Sequence, residues 1–305
     1  VDLDILRSLF PRAKPGEPLK RYTAWKIGGP ADALLEPESA AEAEQALEVA
    51  GENGVPVTVL GGGTNVLVRD GGVRGLVIRL GKQLTGIEFA GPDSGTNGGR
   101  VIAEAGVLYP TLANKTAAQG LAGLEFATGI PGSVGGAVYM NAGAYGSETR
   151  NVLEWADVYR PGEGVVRMSN GDLELSYRHS ILHERPEWTV LRAGYSLEPG
   201  DTEELKARIR EYRGQRMSGS PSKPSCGSTF KRPEGDFPGR VIEAAALKGT
   251  RVGNVEVSSV HANYLVNLGG GSSEDALELM GIVREKVKER LGIELEPEVR
   301  VIGEP

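Results

Sequence analysis

The sequence predicts an α+β fold laid out in three consecutive parts, residues 1–66, 67–195 and 196–305. Three observations predict it. Short stretches rich in β-branched residues alternate with helices that open on capping boxes. A strand, Val57-Thr58-Val59-Leu60, runs straight into the glycine turn Gly61-Gly62-Gly63. Near residue 218 the composition shifts to a Ser/Pro/Gly-rich run, Ser218 to Ser228, that reads in isolation as a linker. At 305 residues the chain has room for two or three domains of roughly 100–200 residues each.

The elements follow in order. Residues 1–20 hold one short helical pattern before Pro11, Pro15 and Pro18. Arg21 to Asp32 mixes aromatics with Gly28-Gly29 and is read as a ligand edge rather than a plain strand and turn. Ser39-Ala40-Ala41-Glu42 opens a helix that should stop at Gly54, and Val55–Leu60 is a strand. Leu76–Leu80, Gly86–Ala90 and Val101–Ala105 read as strands, with a loose turn from Pro92 to Gly99. Pro110 starts a helix that Gly120 stops. Trp155–Arg160 and Val165–Met168 form a hairpin across Pro161-Gly162, and Trp188–Ser196 is a further strand. Asp201-Thr202-Glu203-Glu204 opens a charged helix to about Arg216. Beyond the serine-rich run come a helix at Arg240–Leu247, strands at Asn254–Val257 and Tyr264–Leu268, a helix at Glu274–Leu291 ended by Gly292, and a last strand to Ile302.

Glycine, with 44 residues, is at about double its usual share of ~7%. The longest glycine-rich stretch, Gly129 to Gly146, carries no charged side chain. Glycine lets another molecule approach the main chain, and successive N–H groups make a concavity for an anion. A diphosphate held there would rest on backbone dipoles; the alternative is a tight loop packed on a neighbouring strand. The Gly61–Gly63 turn is not a Walker loop, since no Gly-Lys-Ser/Thr follows, nor a dinucleotide fingerprint opening a helix. Two such loops suggest one long ligand gripped at two places.

Net charge −7 and a pI near 5.3 argue against a nucleic-acid or membrane-surface protein. One cysteine excludes an internal disulfide, and with three histidines no metal site is expected. No apolar run reaches the ~20 residues of a membrane span, and Val1-Asp2-Leu3-Asp4 does not resemble a secretory leader. A cytoplasmic monomer is expected.

Three polar positions invite chemistry. Arg178, in Tyr177-Arg178-His179-Ser180, could fix a carboxylate or offset a developing enolate. Ser228 lies in Cys226-Gly227-Ser228-Thr229-Phe230-Lys231-Arg232, and Glu298 in Glu296-Pro297-Glu298-Val299-Arg300. Singly, each also reads as an exposed arginine, a turn serine and an edge-strand glutamate. Ser133 is not in a G-x-S-x-G elbow, so no hydrolytic triad is predicted. His179 and His261 read as structural or substrate-edge residues, and Cys226 as a small buried thiol.

Taken together and in this order, these motifs resemble the UDP-N-acetylenolpyruvoylglucosamine reductase (MurB) family, FAD enzymes of peptidoglycan synthesis. The resemblance rests on Thr23…Ile27-Gly28-Gly29-Pro30-Ala31, Gly61-Gly62-Gly63-Thr64-Asn65, Gly129 to Gly136, Asn141 to Gly146, Tyr177-Arg178, Gly227-Ser228-Thr229-Phe230 and Glu298-Val299-Arg300…Gly303, and covers nearly the whole chain. It implies that residues 1–66 and 67–195 are two lobes of an FAD-binding unit of the vanillyl-alcohol-oxidase (PCMH) type, and that 196–305 is an α+β substrate domain. It implies cofactor contacts at Ile27, Gly61, Gly62, Gly63, Thr64, Asn65, Val66, Gly129, Ile130, Pro131, Gly132, Ser133, Gly135, Gly136, Ala137, Asn141, Ala142 and Gly143. NADPH would reduce the flavin, and UDP-N-acetyl-3-O-(1-carboxyvinyl)-glucosamine would then be reduced to UDP-N-acetylmuramate. Ser228 matches the proton donor, and Arg178 with Glu298 the pair that steadies an enolate-like intermediate. Tyr145, Tyr177, His261 and Asn263 are expected at the substrate, with Lys231 and Arg232 on its diphosphate.

Two departures qualify the likeness. The link from Arg178 to Pro224 has no room for the tyrosine-bearing loop of one family subtype, so the chain resembles the subtype without it. Arg232 stands where an asparagine is common in the family, and Ser220 where a glutamine often precedes the proline. Two rival readings keep part of the pattern. A different flavin oxidase or dehydrogenase on this fold would keep both glycine loops and lose the Arg178, Ser228 and Glu298 set. A non-catalytic nucleotide-sugar binder would purify colourless.

Overall fold

A computed structural model describes residues 3–90 and 98–305, the side chain of Leu3 excepted. Most of the loose turn expected at Pro92–Gly99 lies outside the described residues; Gly99 itself begins a strand. The fold is α+β, and the chain groups into two compact units made of discontinuous segments. One comprises Val1–Ala13, Leu34–Gly62 and Leu76–Arg216; the other comprises Lys14–Ala33, Gly63–Gly75 and Met217–Pro305.

The first unit is built on an antiparallel sheet whose strands run Gly164–Ser169, Leu153–Arg160, Thr189–Pro199, Gly99–Glu104 and Ile87–Ala90 from edge to edge. Leu121–Ala122 adds to the far end of Thr189–Pro199. The hairpin turn falls at Pro161-Gly162 as expected, with Gly162 at φ 79°. Buried Val101, Ala103, Val158, Ala193 and Tyr195 line the sheet's inner face. The helix Tyr109–Ala118 and the short helix Val134–Tyr139 bring Tyr109, Leu112 and Val138 into the same core. Burial raises the phenols of Tyr109 and Tyr195 far above their ordinary range, as expected for rings closed off from water. On the sheet, Asp157 receives Arg167 through Nε and Nη2 at 2.8 and 3.1 Å and Arg192 Nη2 at 2.7 Å.

The same unit holds the helix Ala40–Glu52, whose cap Ser39 accepts from the Glu42 amide at 3.1 Å. The reciprocal half of the capping box differs: the Glu42 carboxylate takes the amide of Glu38 rather than that of Ser39. The following strand Val57–Leu60 runs parallel to the second half of Val73–Arg79, with Val57 opposite Leu76. Thr202–Gly219 is capped by Asp201, which accepts from Glu203 and Glu204, and runs three residues past the expected Arg216.

In the second unit, Ser273–Leu291 carries both halves of a capping box between Ser272 and Asp275 and ends at Gly292 in the left-handed region, φ 69°. It packs Ala276, Leu279, Val283 and Val287 with Val241, Ile242, Phe230 and Trp25. The strands Arg251–Val252, Val255–Val257 and Leu265–Asn267 form a small antiparallel sheet. The segment read as a linker is part of this unit's structure. Ser225 bridges to Val266, Asn267 donates its amide to Pro224, and Cys226 is buried. Arg21–Asp32 is likewise drawn inward. Trp25 is fully buried, and the Asn267 side chain donates to its carbonyl at 3.0 Å, so its ring is core rather than ligand edge. Early and late chain meet directly: Val66–Val68 pairs in parallel with Arg300–Ile302, and Asp70 accepts from both the amide and hydroxyl of Ser273. Those pairings make the unit discontinuous along the chain.

Candidate active site

The two glycine loops touch within the first unit. A Cβ on Gly62 would lie 2.9 Å from Cα of Gly132, and one on Gly61 would lie 2.5 Å from Oγ of Ser133. No side chain fits at either place. The stretch after Gly132 is not all loop: Val134–Tyr139 is helical, and Val134 and Gly135 donate their amides to Val107 and Ala105. Those two N–H groups are therefore already committed, and the anion-binding capacity expected of the stretch narrows. Among the described residues, the amides of Gly61, Gly62, Gly132 and Ser133 donate to no protein acceptor. Ser133 Oγ, in a residue 3% exposed, also lacks a partner. A buried hydroxyl without a partner is costly unless a ligand satisfies it. Four open N–H groups and a hydroxyl at one glycine seam suit a diphosphate.

Downstream, Gly143–Ala144 pairs with Ser147–Glu148 around a two-residue turn, Tyr145-Gly146, with φ 53° and 80°. The tyrosine ring returns over Gly129, where a Cβ would meet Cε2 at 2.6 Å. It stacks on Tyr212 with centroids 4.2 Å apart and donates its hydroxyl to the Tyr212 carbonyl at 2.8 Å. Ile130, Pro131, Gly136 and Ala137 sit between these features, Ala137 and Ala142 buried.

Arg178 stands on a tight turn in the same unit. Ser176 and His179 exchange two backbone hydrogen bonds at 3.1 Å, leaving Tyr177 and Arg178 at the tip. Arg178 has φ 56°, a conformation that favours glycine and costs an ordinary residue about 1–2 kcal/mol. Its Nη2 donates to the Gly143 carbonyl at 3.1 Å, and its guanidinium lies 5.1 Å from the centroid of the half-exposed Tyr177 ring. His179 stacks on His183, which packs at a tilt of 30° against Tyr139.

Ser228 and Glu298 belong to the second unit. Gly227 turns the chain at φ 80° ahead of Ser228, and the buried Thr229 follows. Thr229 donates its amide to the Asn263 carbonyl, and its own carbonyl accepts from the Glu298 amide, both at 2.8 Å. Ser228 and Glu298 thus lie in adjoining hydrogen-bonded segments although 70 positions apart. Asn65 adds a third strand: its Nδ2 donates to the Glu298 carbonyl at 3.1 Å, and its own carbonyl accepts from Arg300. Its neighbours also pack closely. A Cβ on Gly63 would lie 2.0 Å from the Tyr22 carbonyl, and Thr64 and Val66 continue into the strand paired with Arg300–Ile302. Ile27 is 1% exposed with its carbonyl accepting from Thr23 Oγ1, so only its backbone can face a ligand.

The expected substrate contacts are placed unequally. Asn263 is 2% exposed and spends both ends of its amide on Phe230, accepting from the N–H and donating to the carbonyl. It braces the Ser228 segment rather than reaching outward. Lys231 is paired with Glu296 at 2.5 Å, and exposed Arg232 lies 4.4 Å over the Phe237 ring. His261 accepts the Asn263 amide on Nδ1 and packs edge-on against Tyr264. Cys226 is no nucleophile: burial, with a lesser push from Glu298, takes its thiol up to about 12. Among the described residues, no group of three or more His, Cys, Asp and Glu could hold a metal, and no helix is long and apolar enough to cross a membrane. Sequence reasoning missed Ser180, which is fully buried and donates Oγ to the Tyr139 carbonyl at 2.6 Å. It missed Tyr212 as well. Ser180 acts on the distant Tyr139 carbonyl, and Tyr212 receives the distant Tyr145 hydroxyl on its own carbonyl, so neither partner is legible locally.

The glycine seam suits a nucleotide diphosphate, and a family model described as an FAD binding domain matches residues 31–169. A second model, the C-terminal domain of UDP-N-acetylenolpyruvoylglucosamine reductase, matches residues 220–302. A protein of that name from Rubrobacter xylanophilus is 70% identical over 98% of both chains. One from Caldanaerobacter subterraneus is 43% identical over 94% of this chain and 93% of its own. The crystal structure of the Thermus caldophilus reductase (MurB) superposes with a TM-score of 0.78 at 36% identity, covering 96% of this chain and 99% of that one. The chain belongs to the UDP-N-acetylenolpyruvoylglucosamine reductase family.

Proposed function

We propose that this chain reduces UDP-N-acetyl-3-O-(1-carboxyvinyl)-glucosamine to UDP-N-acetylmuramate, with FAD as bound cofactor and NADPH as reductant, in peptidoglycan synthesis. The observation that carries the reading is the pairing of the Ser228 and Glu298 segments through Thr229. The division of labour that we infer gives the flavin to residues 1–66 and 67–195 and the substrate to 196–305. The FAD-domain match at 31–169 and the reductase C-terminal match at 220–302 support it.

When bound, FAD would supply the two-electron chemistry that links NADPH to the methylene carbon of the substrate. The chain's own residues do the rest. The amides of Gly61, Gly62, Gly132 and Ser133, with the Ser133 hydroxyl, hold the diphosphate. Negative charge then develops towards the substrate carboxylate, where the Arg178 guanidinium offsets it and Glu298 helps steady the intermediate. Ser228 gives its proton to the neighbouring carbon and recovers one from solvent. A serine hydroxyl is a weak acid, so its value depends on alignment, which Gly227, Thr229 and Asn263 fix. Lys231 and Arg232 approach the substrate diphosphate; Lys231 would exchange Glu296 for it. We place the chain in the subtype lacking the tyrosine loop, because residues 189–219 are occupied by one strand and one helix with no inserted loop between them. We read it as a cytoplasmic monomer, as its acidic balance and single cysteine suggest.

Stopped-flow measurement of the two half-reactions tests the reading. In Ser228→Ala, NADPH should still bleach the flavin absorbance, while reoxidation by the enolpyruvyl nucleotide slows by about 10²–10⁴-fold. Normal reoxidation in that variant would remove Ser228 from the mechanism, and a purified protein that binds no flavin would remove the proposal.

A further inference from the structure

Three side-chain bonds tie the Arg178 turn to one short segment of the glycine-rich stretch. Ser180 Oγ donates to the carbonyl of Tyr139, Asn141 Nδ2 donates to the carbonyl of Ser176 at 2.9 Å, and Arg178 Nη2 donates to the carbonyl of Gly143. Every second residue from 139 to 143 thus holds one residue of the turn. Asn141 is the central link. It is fully buried and adopts φ 40°, a left-handed conformation that asparagine tolerates better than most side chains. Its amide is used at both ends, because Oδ1 accepts the Arg150 N–H at 2.9 Å. The Ser176 carbonyl that it grips also closes the turn by accepting from His179. The strained backbone of Arg178 needs such bracing, since a residue at positive φ persists only where its surroundings over-determine it.

We propose that Asn141 is a positioning residue for Arg178, with Ser180 as its second tether, and that its side chain is not a cofactor ligand. This rests on the role given to Arg178 under the proposed function. A misplacement of about 1 Å at a substrate-orienting cation can cost on the order of 10²-fold in rate.

Asn141→Asp tests it. The variant keeps tolerance of the left-handed backbone and the acceptor for Arg150 but sets a carboxylate oxygen against the Ser176 carbonyl. Expected are wild-type flavin content by absorbance, an unchanged rate of flavin reduction by NADPH, and reoxidation by the enolpyruvyl nucleotide slowed by about 10–100-fold. Ser180→Ala, which removes the tether at Tyr139, should show the same split to a smaller degree and serves if Asn141→Asp does not fold. In an Arg178→Ala background either change should add nothing further to the reoxidation rate. Loss of flavin, equal slowing of both half-reactions, or additive effects with Arg178→Ala would overturn the positioning role. Slow reoxidation in Arg178→Ala with normal reoxidation in Asn141→Asp and Ser180→Ala would overturn this inference alone. Normal reoxidation in Arg178→Ala would overturn the role of Arg178 and this inference together.

Discussion

Gly62→Ala puts the cofactor seam under direct load. The new methyl would lie 2.9 Å from Cα of Gly132 and 3.4 Å from both its carbonyl carbon and the amide nitrogen of Ser133. Carbon atoms settle at about 3.5–4.0 Å, so the two loops must part by roughly 0.6–1 Å. Both sides of the contact are backbone, and no flexible side chain can yield in their place. The amides proposed to hold the diphosphate sit on opposite sides of this seam. A separation of that size stretches at least one of their bonds beyond useful length. A hydrogen bond to a charged partner is worth about 1.5–3 kcal/mol, which corresponds to FAD binding weakened by roughly 10–100-fold. The assay is titration of apoprotein with FAD, followed by the change in flavin fluorescence, with a thermal melt of the apoprotein to separate local from global damage. A variant that melts as a folded protein and binds FAD with wild-type affinity would refute the placement of the diphosphate at the seam.

Ser133→Ala removes a buried hydroxyl that has no protein partner among the described residues, so the apoprotein should be as stable or slightly more so, while FAD affinity falls about tenfold; unchanged affinity in the same titration would show that the hydroxyl only packs. Asp157→Asn probes the central sheet. Burial alone would raise the Asp157 carboxyl, but hydrogen bonds from Arg167 and Arg192 outweigh it and hold the group below its ordinary 3.8. A depressed folded value means that the stabilisation is present above the unfolded value and is lost as pH falls through the folded one. The variant should therefore lose about 1.5–3 kcal/mol at pH 7, and the gap to wild type should shrink below about pH 4, as read from urea melts at both pH values. Gly214 and Gly281 lie inside helices, and an added methyl at either would have open space for 4 Å around it. Alanine at either should raise stability by about 0.5–1 kcal/mol, a change visible in chemical denaturation; destabilisation would show that these positions have close neighbours after all.

The helices were legible because their signals are local. Ser39, Asp201, Gly120 and Gly292 act within one turn of the backbone that they cap or stop. Cys226 and the hairpin at Pro161-Gly162 were legible for the same reason, since hydrophobicity and turn chemistry sit in the residues themselves. The candidate site was legible as a set of motifs, but its wiring was not. Arg178 occupies a left-handed position where glycine would be expected, and no local feature announces that Asn141, far earlier in the chain, holds the turn in place. Asn263 was expected at the substrate from the family resemblance alone, yet its amide is consumed by Phe230. The serine-rich run at 218–228 read as a linker because its backbone partners, Val266 and Asn267, lie far along the chain. Glycine shows the limit most clearly. A methyl at Gly51 or Gly249 would meet nothing within 4 Å, while one at Gly62 or Gly63 would strike backbone. All four are the same letter in the sequence, and only the fold decides which of them is a cradle and which merely a turn.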